Sequence, residues 1–134
     1  MDIPEILQSC RTIAVLGARD QRSQAGFYVG EYLASVGYDV VGVNPRLAGT
    51  ELWGRPVVAH LADIDRPIDV VDVFRRSEDV PSHLGEILAL DPLPKVVWLQ
   101  LGIRNEAVAQ ALQARDIVVV QDRCTLAEHR RLGL

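Results

Sequence analysis

The sequence predicts a doubly wound α/β fold, in which a parallel sheet is covered by helices on both faces. Five apolar runs rich in Val and Ile recur along the chain, and segments with helical spacing separate them. The runs are mostly continuous rather than alternating, which is typical of strands buried on both faces. The 134 residues suffice for one domain with a full core, so we assign residues 1–134 to a single domain.

The predicted strands follow from these runs. They cover residues 12–17, 39–43, 69–74, 95–101 and 117–121. Residues 57–58 follow a proline, which is tolerated at a sheet edge, and they predict a sixth, short strand. With the strands numbered along the chain and 57–58 as the outer strand, right-handed crossovers give the order 3-2-1-4-5-6.

Helices are predicted between the strands. Apolar residues at intervals of three and four follow residue 26 and stop at Gly37, which suits a helix C-terminus. A second helix begins at Ser77 as its N-cap and continues through Leu88. A third covers 105–115, a short helix opens the chain, and 125–132 form the last helix.

The winding direction reverses between the strands at 12–17 and 69–74. Ligands of such sheets bind at this reversal, outside the carboxyl ends of the strands. The segments expected there are 17–19, 43–46, 74–76 and 101–103. They bring Arg19, Arg46, Arg75 and Arg76 to one crevice of a chain whose net charge is −4, which favours an anionic ligand.

The first strand ends at Gly17, passes through a polar loop and enters a helix near Gly26, a construction that aims backbone N–H groups at a phosphate. The spacing G-x-G-x-x-G is absent. After the second strand, a cofactor with a free 2′-hydroxyl would meet Asp or Glu, but here Asn44 and Arg46 stand. This favours a nucleotide with an extra phosphate over NAD, although a plain turn at 44–45 and a solvated pair at 75–76 stay open.

Composition narrows the function classes. Fourteen basic residues against eighteen acidic ones disfavour a dedicated nucleic-acid protein. The apolar runs are too short to span a bilayer. The N-terminus lacks both the basic region and the apolar stretch of a signal peptide. Two distant cysteines, Cys10 and Cys124, make no disulfide framework. We therefore expect a cytoplasmic protein without a membrane or nucleic-acid partner.

Several phrases, in this order along nearly the whole chain, carry a family resemblance. They are 14–17, Tyr28, 37–38, 43–45 with Gly49, 71–76, 97–103 and 122–124. The chain resembles the small, single-domain CoA-binding proteins, which are related to the CoA-binding domain of the succinyl-CoA synthetase α subunit. The resemblance implies a single Rossmann-like domain that holds coenzyme A or an acyl-CoA across the carboxyl ends of its strands.

The resemblance also implies a set of cofactor-binding residues. They are Gly17, Ala18, Arg19, Ser23, Tyr28, Val43, Asn44, Pro45, Arg46, Phe74, Arg75, Leu101, Gly102 and Asn105. The loop from Gly17 to Ser23 would cradle the pyrophosphate, and residues 43–46 would contact the adenosine end. Arg46 would neighbour the 3′-phosphate, since a bidentate arginine suits a phosphate. Phe74 and Arg75 would add an apolar wall and a charge, and Leu101, Gly102 and Asn105 would line the pantetheine side.

Three further residues carry expectations from the sequence. Asp72 lies in a central strand, and a buried carboxylate there predicts a partner such as Arg123 or Arg75 in preference to a general-base role. Cys124 is either a small buried residue or a thiol that reacts with CoA. Trp53 is expected to be exposed and available to a dimer. No metal site or catalytic triad is expected, and His60 and His83 are assigned to the surface.

These observations favour a non-catalytic module that binds CoA or acyl-CoA, as a carrier, a sensor or a partner of a larger enzyme. The alternative is an NADP-binding oxidoreductase or redox sensor, although no residue set for a hydride acceptor is visible. A scaffold that has kept the fold without the ligand is the third interpretation. The phosphorylated histidine of the synthetase lies in a domain that these residues do not include, so we expect no enzyme activity.

Overall fold

A computed structural model describes residues Met1–Leu134 and shows the predicted α/β architecture. Along the chain the regular elements are α1 (Ile3–Ser9), β1 (Thr12–Leu16), α2 (Ala25–Ser35), β2 (Asp39–Val43), β3 (Glu51–Leu52), β4 (Arg55–Pro56), β5 (Val70–Val73), α3 (Leu84–Leu88), β6 (Val96–Leu99), α4 (Glu106–Gln113), β7 (Val118–Val120) and α5 (Thr125–Leu132). None of the helices combines the length and the apolarity that crossing a membrane requires.

The main sheet is parallel and has five strands in the order β2-β1-β5-β6-β7. Its register aligns the carboxyl ends of the four strands that matter for a ligand. Leu16 pairs with both Val43 and Val73, and Val73 pairs with Leu99. The loops that follow these strands therefore begin side by side at one edge, at the reversal predicted from the sequence.

The predicted outer strand at 57–58 lies beside β2 as expected, but it is reduced to one parallel bridge between Val58 and Val43. The Val58 amide donates to the Gly42 carbonyl at 3.0 Å, but the Val57 amide donates to Thr50 at 2.7 Å. Pro56 has no amide hydrogen to contribute. The hairpin that precedes this segment therefore takes part of its hydrogen bonding. Instead of six strands in the order 3-2-1-4-5-6, the sheet has five strands and one additional bridge.

That hairpin, β3–β4, was not predicted. Its two-residue turn consists of Trp53 and Gly54, with φ of 56° and 78°, as a tight hairpin turn requires. The Trp53 ring packs against Gly30 of α2, where an added Cβ would lie 2.4 Å from the ring, and its Nε1 donates to the Phe27 carbonyl at 3.1 Å. Trp53 is therefore only half-exposed and belongs to the fold, which corrects the expectation of a free surface residue.

Two apolar layers cover the sheet. On one face, α1, α2 and α5 pack with Ile6 and Leu33 around the fully buried Trp98. On the other face, α3 and α4 pack with Ile87 and Leu112 over the opposite side chains of the same strands. Helices on both faces explain why the strands are continuous apolar runs.

The helix predictions differ from the structure mainly at the second helix. The predicted segment 77–88 is a 3₁₀ helix, Ser77–His83, followed by the single turn α3, because Pro81 lies inside it. Ser77 is not the N-cap, and its hydroxyl accepts instead from the Arg104 amide at 3.1 Å. The helices after residue 25 and at 125–132 are confirmed.

Candidate ligand-binding site

An open cleft of about 660 Å³ lies at the carboxyl edge of the sheet. The loops after β1, β5 and β6 line it, together with the first turn of α2 and the residue before α5. Predicted site residues in its lining are Arg19, Tyr28, Phe74, Arg75, Leu101 and Gly102. The structure therefore brings together residues from three of the four segments expected at this edge.

A second cavity of about 330 Å³ lies at the same edge and has Gly17 in its lining. Val43, Asn44 and Pro45 line it at the end of β2, and Arg75 lines both cavities. The fourth predicted segment therefore joins the site through this smaller cavity. Ser23 and Asn105 line neither cavity, and Arg46 also lies outside both.

Gly17 lines the smaller cavity and packs against the loop after β5. Its φ is +90°, a conformation that side chains disfavour, and its amide donates to the Val43 carbonyl at 3.0 Å. An added Cβ would lie 2.6 Å from the Phe74 carbonyl oxygen and 2.9 Å from Cδ of Arg75. The absence of a side chain at Gly17 therefore allows the β1 loop to pack directly against the β5 loop.

The N-terminus of α2 faces the larger cleft without a capping side chain. Gln24 is the N-cap and makes no side-chain cap bond, and the first turn contains no acidic residue. No protein group accepts from the amides of Ala25 and Gly26, which line the cleft. These N–H groups carry the positive end of the helix dipole, so this end of the cleft favours an anion.

The four predicted arginines differ in their partners. Arg76 is bound to Asp79 at 3.0 Å and to Glu78 at 3.3 Å, so acidic neighbours compensate its charge. Arg19, Arg75 and Arg46 form no ion pair with the chain. Two of these free cations, Arg19 and Arg75, line the larger cleft, whereas Arg46 is exposed on the short 3₁₀ helix after β2.

The amide side chain of Asn44 shapes the backbone. Its Nδ2 donates to the Ala18 carbonyl at 2.8 Å, and its Oδ1 accepts from the Arg46 amide at 2.9 Å. These bonds tie the β1 and β2 loops together, and Ala18 itself is fully buried. Asn105 likewise caps α4, since its Oδ1 accepts from the Val108 amide at 3.0 Å. Both asparagines therefore position backbone at the site.

The carboxyl of Asp72 has no arginine partner, which corrects the pairing predicted from the sequence. Gln100 Nε2 donates to it at 2.6 Å and the Thr125 hydroxyl at 3.2 Å, and Asp72 is fully buried. Burial raises its pKa to about 7, although both hydrogen bonds act in the opposite direction. Gln100 also donates to Thr125 at 2.9 Å. Both Nε2 hydrogens of Gln100 are thus donated within the protein. The side-chain carbonyl oxygen of Gln100 has no protein partner and is available to a ligand in the cleft that this residue lines.

Exposed apolar groups form the rim of the larger cleft. Leu101 is 71% exposed and Tyr28 is 44% exposed. Gly102, with φ of +84°, donates its amide to Asp122 at 2.6 Å, which fixes the loop after β6. Cys124 is a free thiol that lines the cleft at the N-cap of α5.

The lining residues that the sequence did not predict include Gln100 and two groups for which a sequence signal exists. The first is Gln24 to Gly26, for which the predicted helix start near Gly26 was a usable signal. The second is His83 with Glu86, which line the smaller cavity. His83 is only 19% exposed in its side chain and is not the surface residue that was predicted. Its spacing of three from an acidic residue on a predicted helix was the available signal.

The fold and the cleft define the class of this protein: a Rossmann-like α/β domain with free arginines and free amides at its topological switch point. The model of one family, the CoA binding domain, matches residues 11–130. The chain belongs to this CoA binding domain family, as the resemblance of its motifs predicts.

Individual relatives extend this comparison. The protein YneT of Bacillus subtilis (strain 168) is 38% identical over 128 residues, which cover 96% of this chain and 92% of that protein. A solved structure from Thermus thermophilus is 46% identical with a TM-score of 0.93, covering 98% of this chain and 99% of that one. Acetyl-coenzyme A synthetase 1 of Ca. Korarchaeum cryptofilum has a TM-score of 0.70 at 20% identity over 88% of this chain and 26% of its own, which shows a shared fold.

Proposed function

We propose that this protein binds coenzyme A or an acyl-CoA across the carboxyl edge of its sheet and performs no chemistry on it. The observation that carries the proposal is the presence, at the carboxyl edge of the sheet, of two cavities that share Arg75 in their linings. CoA has a diphosphate between a nucleoside and a flexible pantetheine arm, and this arrangement offers a place for each part. Family membership supports the same ligand class.

The diphosphate is assigned to the centre of the site. The free amides of Ala25 and Gly26 and the free guanidinium groups of Arg19 and Arg75 lie there. Helix N-termini and arginines are the groups that proteins use for phosphates, and charge-assisted bonds are stronger than neutral ones. The predicted donor Ser23 is exposed on the loop and does not line the cleft, so we give it no contact.

The nucleoside is assigned to the smaller cavity and the pantetheine arm to the larger cleft. Arg46 lies next to the smaller cavity on the turn after Pro45. Its exposed side chain would contact the 3′-phosphate of a nucleotide bound in that cavity. The arm would pass Phe74 and Leu101 toward Gln100, whose carbonyl is available to accept from an amide or a thiol.

A binding role without catalysis is supported by the state of the ionisable groups. Asp72 has a pKa near 7, which is suitable for a general base, but it is fully buried behind Gln100 and Thr125 and has no path to the ligand. The acid in the lining of the larger cleft, Glu78, pairs with Arg76. The Cys124 thiol also lines the cleft, and it makes no hydrogen bond with a base.

The first test is isothermal titration of the reduced protein with CoA, dephospho-CoA, NADP and NAD. Binding of CoA at about micromolar concentration, weaker binding of dephospho-CoA and no binding of the dinucleotides would support the proposal. A preference for NADP would favour the oxidoreductase alternative. No binding of any of the four compounds would favour a scaffold.

The substitution Arg46→Ala tests the assignment of the nucleoside end. We expect a loss of about fivefold in CoA affinity, because an exposed charge pair contributes about 1 kcal/mol, and little change for dephospho-CoA, which lacks the 3′-phosphate. Arg115→Ala is the matched control, since Arg115 is an exposed, unpaired arginine before β7, at the opposite edge of the sheet. Equal losses for CoA and dephospho-CoA would remove Arg46 from this role.

A further inference from the structure

Two residues in the lining of the smaller cavity each have a buried polar atom without a hydrogen-bond partner. Arg75 Nε and His83 Nε2 are the two buried side-chain nitrogen or oxygen atoms of this chain that have no hydrogen-bond partner. His83 lines the smaller cavity, and Arg75 lines both cavities. Buried polar atoms are nearly always paired, because an unpaired one loses its bond to water without replacement. Two such atoms at one cavity indicate that their partner is a ligand.

Glu86 determines which kind of partner His83 takes. Its Oε1 lies 2.8 Å from Nδ1 of His83, and both side chains are partly buried, at 19% and 29% exposure. A carboxylate accepts, so Nδ1 carries the hydrogen and donates. In the neutral ring, Nε2 then presents a lone pair. The turn from the 3₁₀ helix into α3 creates this pair by placing residues 83 and 86 on one side.

The two orphaned atoms therefore require complementary groups. Arg75 Nε donates only, so it needs an acceptor on the ligand, whereas His83 Nε2 needs a donor. Glu86 is the sole acid in the lining of this cavity, and its negative charge disfavours a phosphate beside His83. A neutral group that carries both a donor and an acceptor fits the interior of the cavity.

We propose that His83, held by Glu86, accepts a hydrogen bond from the nucleoside half of the bound nucleotide, and that Arg75 donates to an acceptor beside it. This rests on the proposed function, in which the nucleotide is CoA. His83 is the contacting residue and Glu86 is the positioning residue. The donor is either the exocyclic amine of the base or a ribose hydroxyl, and both belong to the same half of the ligand.

Titration of three protein forms with three probes tests this assignment. The forms are the wild type, His83→Leu and His83→Gln, and the probes are CoA, ADP and 4′-phosphopantetheine. We expect His83→Leu to weaken CoA and ADP by about tenfold, as for one lost hydrogen bond, and to leave phosphopantetheine unchanged. His83→Gln should recover much of the affinity, because its carbonyl reaches the place of Nε2. Equal losses for phosphopantetheine, or no loss for ADP, would overturn the assignment.

Two additional probes identify the donor. IDP lacks the exocyclic amine, and 2′-deoxy-ADP lacks one ribose hydroxyl. The probe for which wild type and His83→Leu bind equally is the one that lacks the donor. If both probes still distinguish the two proteins, the 3′-hydroxyl is the donor for ADP. That outcome would overturn the assignment for CoA, whose 3′-oxygen is phosphorylated.

Nitrogen-15 spectra of the imidazole rings supply a readout that a merely structural histidine would not give. We expect an unprotonated Nε2 in the free protein and a shift of that signal when ADP is added. Glu86→Ala should release the tautomer, while Glu86→Gln, whose carbonyl still accepts from Nδ1, should preserve it. An Nε2 signal that is indifferent to ADP would contradict the contact.

The outcomes separate this inference from the proposed function. Wild-type binding of ADP that depends on His83, with no binding of CoA, would refute CoA as the ligand and retain the nucleoside contact. Binding of CoA that is indifferent to His83 would refute the contact and retain the function. Binding of neither compound would refute both.

Discussion

The buried carboxyl of Asp72 should make the stability of this fold depend on pH in an unusual direction. Asp72 pairs with Val15 and Trp98 in the middle of the sheet, and its side chain contacts no cation. Burial raises its pKa to about 7 from the ordinary value of 3.8. The substitution Asp72→Asn keeps the shape of the side chain and removes its ionisation.

The sign follows from proton binding. In the unfolded chain Asp72 ionises near 3.8, while in the folded chain it keeps its proton until about pH 7. Within this window the folded state binds more protons, so the free energy of unfolding contributed by Asp72 falls as the pH rises, and it is constant above the window. The difference between the two pKa values corresponds to at most about 4 kcal/mol.

Urea unfolding of the wild type and Asp72→Asn between about pH 4 and about pH 8 measures this effect. The difference between the two proteins cancels the other titrating groups, and we expect Asp72→Asn to gain stability relative to the wild type as the pH rises. Thr125→Val removes a donor to the carboxylate and should extend the dependence to higher pH. A constant difference, or a relative loss for Asp72→Asn at high pH, would refute the reasoning.

Two pairs of glycine variants test the packing that forms the site. Gly17→Ala puts a Cβ 2.6 Å from a carbonyl oxygen and should abolish CoA binding, whereas Gly54→Ala has a similar positive φ, no neighbour within 4 Å, and should cost about 1 kcal/mol of stability without affecting CoA titration. Gly30→Ala meets the Trp53 ring at 2.4 Å and should lower the free energy of unfolding in urea by about 2 kcal/mol. Gly85→Ala, in open space on a helix, should raise it by about 0.5–1 kcal/mol. Similar effects within either pair would contradict the assigned contacts.

The fold was predictable because one property, burial on both faces, determines the composition of every central strand. The run at 39–43 is located without error, since it pairs along its whole length with β1. The run at 57–58 has a similar composition but is not a strand. The Val57 amide bonds to Thr50, and this choice depends on a hairpin too short to show a period.

The sequence predicts those parts of the candidate site that depend on local backbone geometry. It does not predict side-chain hydrogen bonds between residues that are distant along the chain. Gly17 was found because a glycine between a strand and a polar loop is a local signal. Asp72 was wrongly paired with an arginine because its actual partners, Gln100 and Thr125, are neutral residues 28 and 53 positions away. The sequence predicts a surface position for His83, but its side chain is partly buried by the packing of α3, which no local pattern shows.

The distribution of ion pairs explains how an acidic chain presents a cationic site. Asp39 takes both Arg55 and Arg66, with nitrogen–oxygen distances of 2.8 and 2.7 Å, away from the carboxyl edge. Arg19 and Arg75 receive no such partner, although eighteen acidic residues are available. An exposed arginine without an ion pair still forms hydrogen bonds with water. The buried Nε of Arg75 forms no hydrogen bond with water or with the protein. A ligand that supplies the acceptor therefore stabilises the folded state directly, so binding and stability are coupled through this one side chain.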